Sequence, residues 1–357
     1  MSKRKNRKSI YYLLSKATPL RLLSGDTITE FGIMKALSEN YDVFYNGELF
    51  NPKIEGFGLT RKKYHAIDRR YDVSIVRNNS KVFNVLKGKK IYFAAPYHEE
   101  SFRQANLIYT FTNSWTNKLK NGYRFSKNLY PKGFKTDKAI TLTQVVDDIF
   151  YNKRIHAKVA KNRRLIGGNF IIGHFGKVAK SCYPHSFLAI LPRLRREFPN
   201  LKVIFCGNSE RIRYLGKDND IPIYNFEYKD MPYIISACDL ILYNYKDTQG
   251  QIAGSMKILE AMACGVPVLC PRYDARVEEL GKDYELFYPY ENLCDEDGSL
   301  IRYRFSPESE EIMYNLIKRG VEEPDWLKDV GRKLLVRSKH YSVDNSAKRF
   351  KKIIDGI

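Results

Sequence analysis

Apolar runs centred on residues 172, 204, 223, 241 and 268 alternate with helical periods near 185–197, 229–237, 255–264, 308–319 and 325–337. Parallel strands need a helical crossover, and such crossovers are right-handed, so strict alternation points to a doubly wound parallel sheet covered on both faces. The N-terminal half shows the same order less regularly. Residues 10–14 read as a strand, 24–27 as a glycine turn with capping residues, 29–38 as a helix through Phe31, Ile33, Met34 and Leu37, and 41–45 as a strand. Runs at 72–76, 90–95, 107–112 and 139–143 continue the sheet. A chain of 357 residues with 43% hydrophobic content is large enough for two α/β domains.

The residues richest in chemistry are 254–268. Gly254 and Ser255 open a flexible turn with a candidate N-cap, and Met256, Lys257 and Glu260 follow in the first turns of a helix. Gly265 suits a helix end, and 266–270 starts a buried strand. Free N–H groups and the macrodipole at such a helix start favour an anion, and a lysine there suits a diphosphate. A carboxylate one turn further in, at Glu260, suits two ribose hydroxyls. The plain alternative for Lys257 and Glu260 is an i,i+3 surface pair worth about 0.2–0.5 kcal/mol.

This stretch resembles the donor-site signature of GT-B glycosyltransferases, specifically the retaining family-4 (glycosyl transferases group 1) type. Ser255, Lys257, Glu260, Ala261, Met262, Ala263, Gly265, Pro267 and Val268 all match in place. Residues 172–177, with Gly176, resemble the strand and glycine turn that open the C-terminal domain of that family. Residues 201–208, ending in Asn208, resemble its second strand, and 228–240 a further segment. Residues 143–150 resemble the segment that closes the N-terminal domain.

The resemblance implies two Rossmann-like doubly wound domains facing each other across a cleft. It gives an N-terminal acceptor-binding domain over 1–160, a nucleotide-sugar domain over 161–340, and a C-terminal helix over 341–357 that crosses back. It implies transfer of a sugar from a nucleotide-diphosphate sugar, with retention of configuration. Lys177 and Lys257 become candidates to stabilise the leaving diphosphate, with Lys180 nearby, because cations aimed at a developing charge lower the barrier. Gly25, Gly176, Asn208, Gly254, Ser255 and Met256 become donor-contacting backbone, Tyr228 part of a base-binding loop, and Glu260 the ribose ligand. His98, after the strand at 91–95, is a candidate for the transferred sugar. No metal motif is evident, so a metal-independent reaction without a cofactor is expected. Three departures stand out. Ile252 replaces a sugar-contacting glutamate, Val145-Val146 replaces an asparagine-glycine pair, and Lys177 replaces an arginine.

The net charge of +21 is unevenly placed. Residues 1–165 hold 33 Lys/Arg against 13 Asp/Glu, and residues 166–357 hold 28 against 27. A basic acceptor half implies an anionic acceptor or surface: a phosphoglycan, a lipid head group at a membrane face, or DNA. The basic stretch at 151–166, followed by Gly167-Gly168, marks the expected domain boundary. Six scattered cysteines without C-x-x-C spacing read as reduced, packed thiols. No run is long and apolar enough to cross a bilayer, and the basic start lacks a secretory core, so a cytoplasmic protein, peripheral at an inner membrane face, is expected. The rival readings are a DNA-base glycosyltransferase and an inactive binding protein that kept the fold. Ile252 and Val145-Val146 support the inactive reading, and the intact Lys257–Glu260 helix opposes it.

Overall fold

The computed structural model describes residues 7–13, 25–46, 60–62, 71–77, 83, 85–95, 97–122, 134–151, 156–176, 184–207, 216–244, 252–293, 301–302 and 304–357. The chain divides into two compact units, Met1–Val146 with His340–Ile357, and Asp147–Lys339.

The first unit is built on seven parallel strands: β1 (Ser9–Leu13), β2 (Asp42–Asn46), β3 (Thr60–Lys62), β4 (Val73–Val76), β5 (Lys89–Phe93), β6 (Leu107–Thr110) and β7 (Ala139–Thr141), in the order β3-β2-β1-β4-β5-β6-β7. Ile10, Tyr11, Tyr12 and Leu13 are all fully buried, as a central parallel strand with both faces covered requires. The final helix, Val343–Asp355, is capped by Ser342 and packs on the helix Gly25–Ser38. Tyr41 Oη donates to Asp355 Oδ1 at 2.9 Å, which pins that helix end to the unit.

The second unit has six parallel strands: β8 (Phe170–Phe175), β9 (Leu201–Cys206), β10 (Ile223–Tyr224), β11 (Leu240–Leu242), β12 (Val268–Pro271) and β13 (Phe287–Tyr288), in the order β10-β9-β8-β11-β12-β13. Chain order runs outward from β8 to β10, then restarts at β11 beside β8. The carboxyl ends of β8 and β11 therefore flank a topological switch point, the usual ligand position in such a sheet. Phe170, Ile172, Phe187, Leu194, Val203, Leu240 and Leu269 form the core beneath.

The two sheets with flanking helices agree with the fold class expected from the sequence. Elements absent from the sequence reading are β3, β13 and the helices Glu99–Gln104, Asn113–Asn121 and Asp274–Leu280. The break between units falls at Val146/Asp147 rather than near 160. The basic stretch forms the helix His156–Ile166 and is tied to the second unit. Arg163 Nη1 pairs with Asp239 Oδ1 at 2.9 Å and donates to the Ala237 carbonyl at 3.1 Å, and the Lys158 ammonium lies 4.3 Å from the centre of the Tyr233 ring.

Candidate active site

The helix Met256–Ala263 starts at the switch-point end of the second sheet. Ser255 holds the N-cap position in extended backbone (φ −129°), but its side chain makes no capping hydrogen bond. Its carbonyl accepts from the amides of Ile258 and Leu259, both at 3.1 Å. The candidate cap of the sequence reading thus serves through its backbone. Six of the helix's residues besides Glu260 and Lys257 are buried, so the helix is locked against the sheet and its orientation is fixed.

Gly176 follows β8 with φ +94°. A side chain at this position would meet Lys257, whose Cε lies 2.4 Å and Nζ 2.7 Å from where a Cβ would stand. The absence of a side chain is what lets the Lys257 ammonium lie directly over the strand end. The register β8–β11 sets Leu240 opposite Ile172 and Ile241 opposite Gly173, so His174 stands beside Leu242. The His174 ring meets the Leu242 carbonyl through Nδ1 at 3.3 Å, while Nε2 is buried without a hydrogen-bond partner. Burial, reinforced by the Lys257 charge, pushes its pKa down to about 3, so the ring is neutral.

Glu260 is only 6% exposed, and its Oε1 has no hydrogen-bond partner. The Tyr228 hydroxyl donates to this carboxylate, with Asp147 close enough to act on it electrostatically. Burial pushes the Glu260 pKa up to about 8, with Asp147 adding to the rise and Lys257 and Tyr228 opposing it. Tyr228 packs edge-on to Phe150 at 5.6 Å between ring centres. Asp147 and Phe150 come from the segment 143–150 that the sequence singled out. The structure thus gathers Gly176, Lys257, Glu260, Tyr228, Asp147 and Phe150 within the second unit.

Other expected site residues fall elsewhere. Lys177, Lys180 and Asn208 lie outside the described residues. Gly25 begins the helix Gly25–Ser38 of the first unit. His98, also in the first unit, caps the helix Glu99–Gln104: its Nδ1 accepts from the Ser101 amide at 3.2 Å and meets Ser101 Oγ at 2.9 Å. An open surface depression there is lined by Tyr97, His98, Glu99, Glu100 and Arg103. Ile252 is 1% exposed, so an apolar side chain fills the core where the resembling family has a polar one.

The sequence reading missed two features of this neighbourhood. Asn244, at the end of β11, is 1% exposed with neither amide atom hydrogen-bonded. A single asparagine after an apolar run carries no distinguishing signal. The buried pair Arg276–Glu279 was equally silent, because R-x-x-E on a helix usually reads as a solvated face.

Residues 169–295 match the family described as glycosyl transferases group 1. This matched stretch lies within the second unit and is similar to that family. No curated protein sequence matches the chain. In fold, the chain is similar to HepE of Anabaena, solved with UDP and glucose, at 15% identity and a TM-score of 0.70 over 98% of this chain and all of that one. A Rickettsia africae glycosyltransferase aligns at 11% identity and a TM-score of 0.71, covering 99% of each chain. WaaG, a glycosyltransferase involved in lipopolysaccharide biosynthesis, aligns at 13% identity and 0.64 over 98% of this chain and all of that one. These likenesses carry the GT-B fold. Among the described residues no helix is long and apolar enough to cross a membrane, and no cluster of acidic, histidine or cysteine side chains is arranged to hold a metal.

Proposed function

We propose that the enzyme transfers a sugar from a nucleoside-diphosphate sugar to an anionic glycan or lipid acceptor, with the donor held in the second unit. The unpartnered Oε1 of buried Glu260 carries this reading. A buried carboxyl oxygen without a partner costs about 1–3 kcal/mol, and a ribose with two hydroxyl donors supplies what it lacks. The start of the helix Met256–Ala263 lies one turn before Glu260. Its dipole and the Lys257 ammonium both favour the anion there. In the reaction the sugar–oxygen bond to the diphosphate breaks as an acceptor hydroxyl bonds to the same sugar carbon, its proton passing to the departing diphosphate, on whose oxygens negative charge builds. Lys257 over Gly176 and the helix start stabilise that charge without calling on a metal; retention of configuration is what the family resemblance implies. Lys177 and Lys180, just after Gly176 in the chain, add cationic candidates. With Ile252 apolar, recognition of the sugar falls to other groups.

The acceptor follows from charge. Met1–Val146 with His340–Ile357 hold 31 Lys/Arg against 13 Asp/Glu, a net +18, while Asp147–Lys339 hold 30 against 27, a net +3, so most of the excess belongs to the unit that does not bind the donor. WaaG, which is similar in fold, is a glycosyltransferase involved in lipopolysaccharide biosynthesis, and a glycan or lipid acceptor for this chain agrees with that setting. The test is thermal shift against UDP, GDP, ADP, dTDP and CMP, with Glu260→Ala alongside, followed by transfer assays on phosphorylated glycolipid vesicles and on duplex DNA. A shift of about 2.7 kcal/mol in stability is expected at 100 times the dissociation constant for one nucleotide, abolished in Glu260→Ala. No shift with any nucleotide in a cooperatively unfolding protein refutes the donor site. Transfer to DNA alone refutes the glycan or lipid acceptor.

A further inference from the structure

Behind the candidate diphosphate site lies a buried ion pair that the chemistry so far leaves without a task. Arg276 and Glu279 stand one turn apart on the helix Asp274–Leu280, and both are buried. Arg276 Nη1 and Glu279 Oε2 are 2.7 Å apart. Each side chain also reaches the backbone of the turn that precedes the helix Met256–Ala263. Arg276 Nη2 donates to the Ala253 carbonyl, and Glu279 Oε1 accepts from the Ser255 amide at 2.8 Å. The two bonds bracket Gly254, so both peptide groups flanking the most pliant residue of the turn are held. The Arg276 guanidinium lies 5.1 Å from the centre of the Tyr243 ring, at the end of β11.

A buried ion pair is a poor way to gain stability, since apolar residues of equal volume commonly do as well or better. What it supplies is a fixed geometry for the groups it bonds. Here those groups lead straight into the helix start. We infer that Arg276 and Glu279 are positioning residues that aim the turn 253–255, and with it the first amides of the helix Met256–Ala263, at the donor diphosphate. The inference rests on the donor-site reading above. It assigns the pair to the diphosphate specifically, because the ribose ligand Glu260 lies a turn further on and is held by the helix itself.

The experiment measures affinity by calorimetry for UDP and UMP, GDP and GMP, and ADP and AMP, in wild type, Glu279→Gln and Arg276→Lys. Glu279→Gln keeps size and one acceptor but sets an amide N–H group against the guanidinium. Arg276→Lys keeps the charge and loses the fork. Cooperative melting shows that each variant is folded. For the base that wild type prefers, both variants should cut the diphosphate-over-monophosphate affinity ratio about tenfold while monophosphate affinity changes less than about twofold, as expected when a pre-organised phosphate cradle loosens. Glu260→Ala, run in parallel, should weaken both nucleotides together. An unchanged ratio in folded variants overturns the positioning role and leaves the donor site standing. Failure of wild type to bind any of the six overturns the donor-site reading, and this inference with it.

Discussion

Glu260→Gln is expected to make stability less dependent on pH, by an amount the burial of this carboxyl sets. Its pKa stands at about 8 in the folded enzyme, against an ordinary value of 4.5 in the unfolded chain. The folded state thus disfavours the ionised form. Its full contribution is present below pH 4.5 and is lost as pH rises through 8. Between these limits the loss runs at about 1.4 kcal/mol per pH unit. Glutamine has the same size and no charge, so the stability of Glu260→Gln relative to wild type should grow by about 3 kcal/mol between pH 5.5 and 8. Glu279, raised to about 7 chiefly by burial, titrates in the same window, but it is present in both proteins and cancels in the difference. Urea unfolding at a series of pH values, followed by tryptophan fluorescence with Trp326 reporting on the second unit, gives the comparison. A stability difference that stays flat from pH 5.5 to 8 would show that Glu260 is ionised in the free enzyme, and the argument from its burial would fall.

Three further outcomes follow from the same geometry. Ribose hydroxyls donate to a carboxylate, so binding should convert Glu260 to its ionised form; titration in buffers of different ionisation enthalpy should show release of close to one proton, about 0.9, per nucleotide at pH 7, and none in Glu260→Gln. Gly176→Ala adds a Cβ at φ +94° against the Lys257 side chain, so Lys257 must move; turnover should fall by about tenfold or more for a stability loss of about 1–2 kcal/mol, read from kcat and melting together. Gly331→Ala places a Cβ 2.1 Å from the Gly265 carbonyl oxygen, where the helix Pro324–Ser338 rests on the end of the donor helix. Backbone rather than a flexible side chain must yield there, so about 3 kcal/mol of stability should be lost in urea unfolding.

The parallel sheets and the donor helix were legible in the sequence because each left a local signal. Fully apolar runs such as 10–13 and 268–270 mark strands buried on both faces, and Gly-Ser followed by Lys257 and Glu260 marks a helix start with chemistry. Short edge strands gave no such signal: β3, Thr60–Lys62, is a Thr-Arg-Lys triplet whose extended form depends on pairing with β2. The unit boundary was misplaced because the basic run 151–166 has the composition of a linker. What makes it part of the second unit is a contact distant in sequence, Arg163 with Asp239. The candidate site was half legible. Glu260 announced itself by spacing, but its isolation, the passage of Lys257 over Gly176 and the hold of Arg276 and Glu279 on the turn all arise from tertiary packing. The reach of a side chain across 20 or more residues leaves no periodic mark.

The central claim, that the start of the helix Met256–Ala263 and Glu260 together hold a nucleoside diphosphate, is tested most directly by a crystal structure of the enzyme with whichever of UDP, GDP or ADP stabilises it. The account places the ribose hydroxyls on Glu260 Oε1 and the diphosphate at the Lys257 ammonium and the first-turn amides. A nucleotide bound elsewhere, with Oε1 still unpartnered, would contradict it.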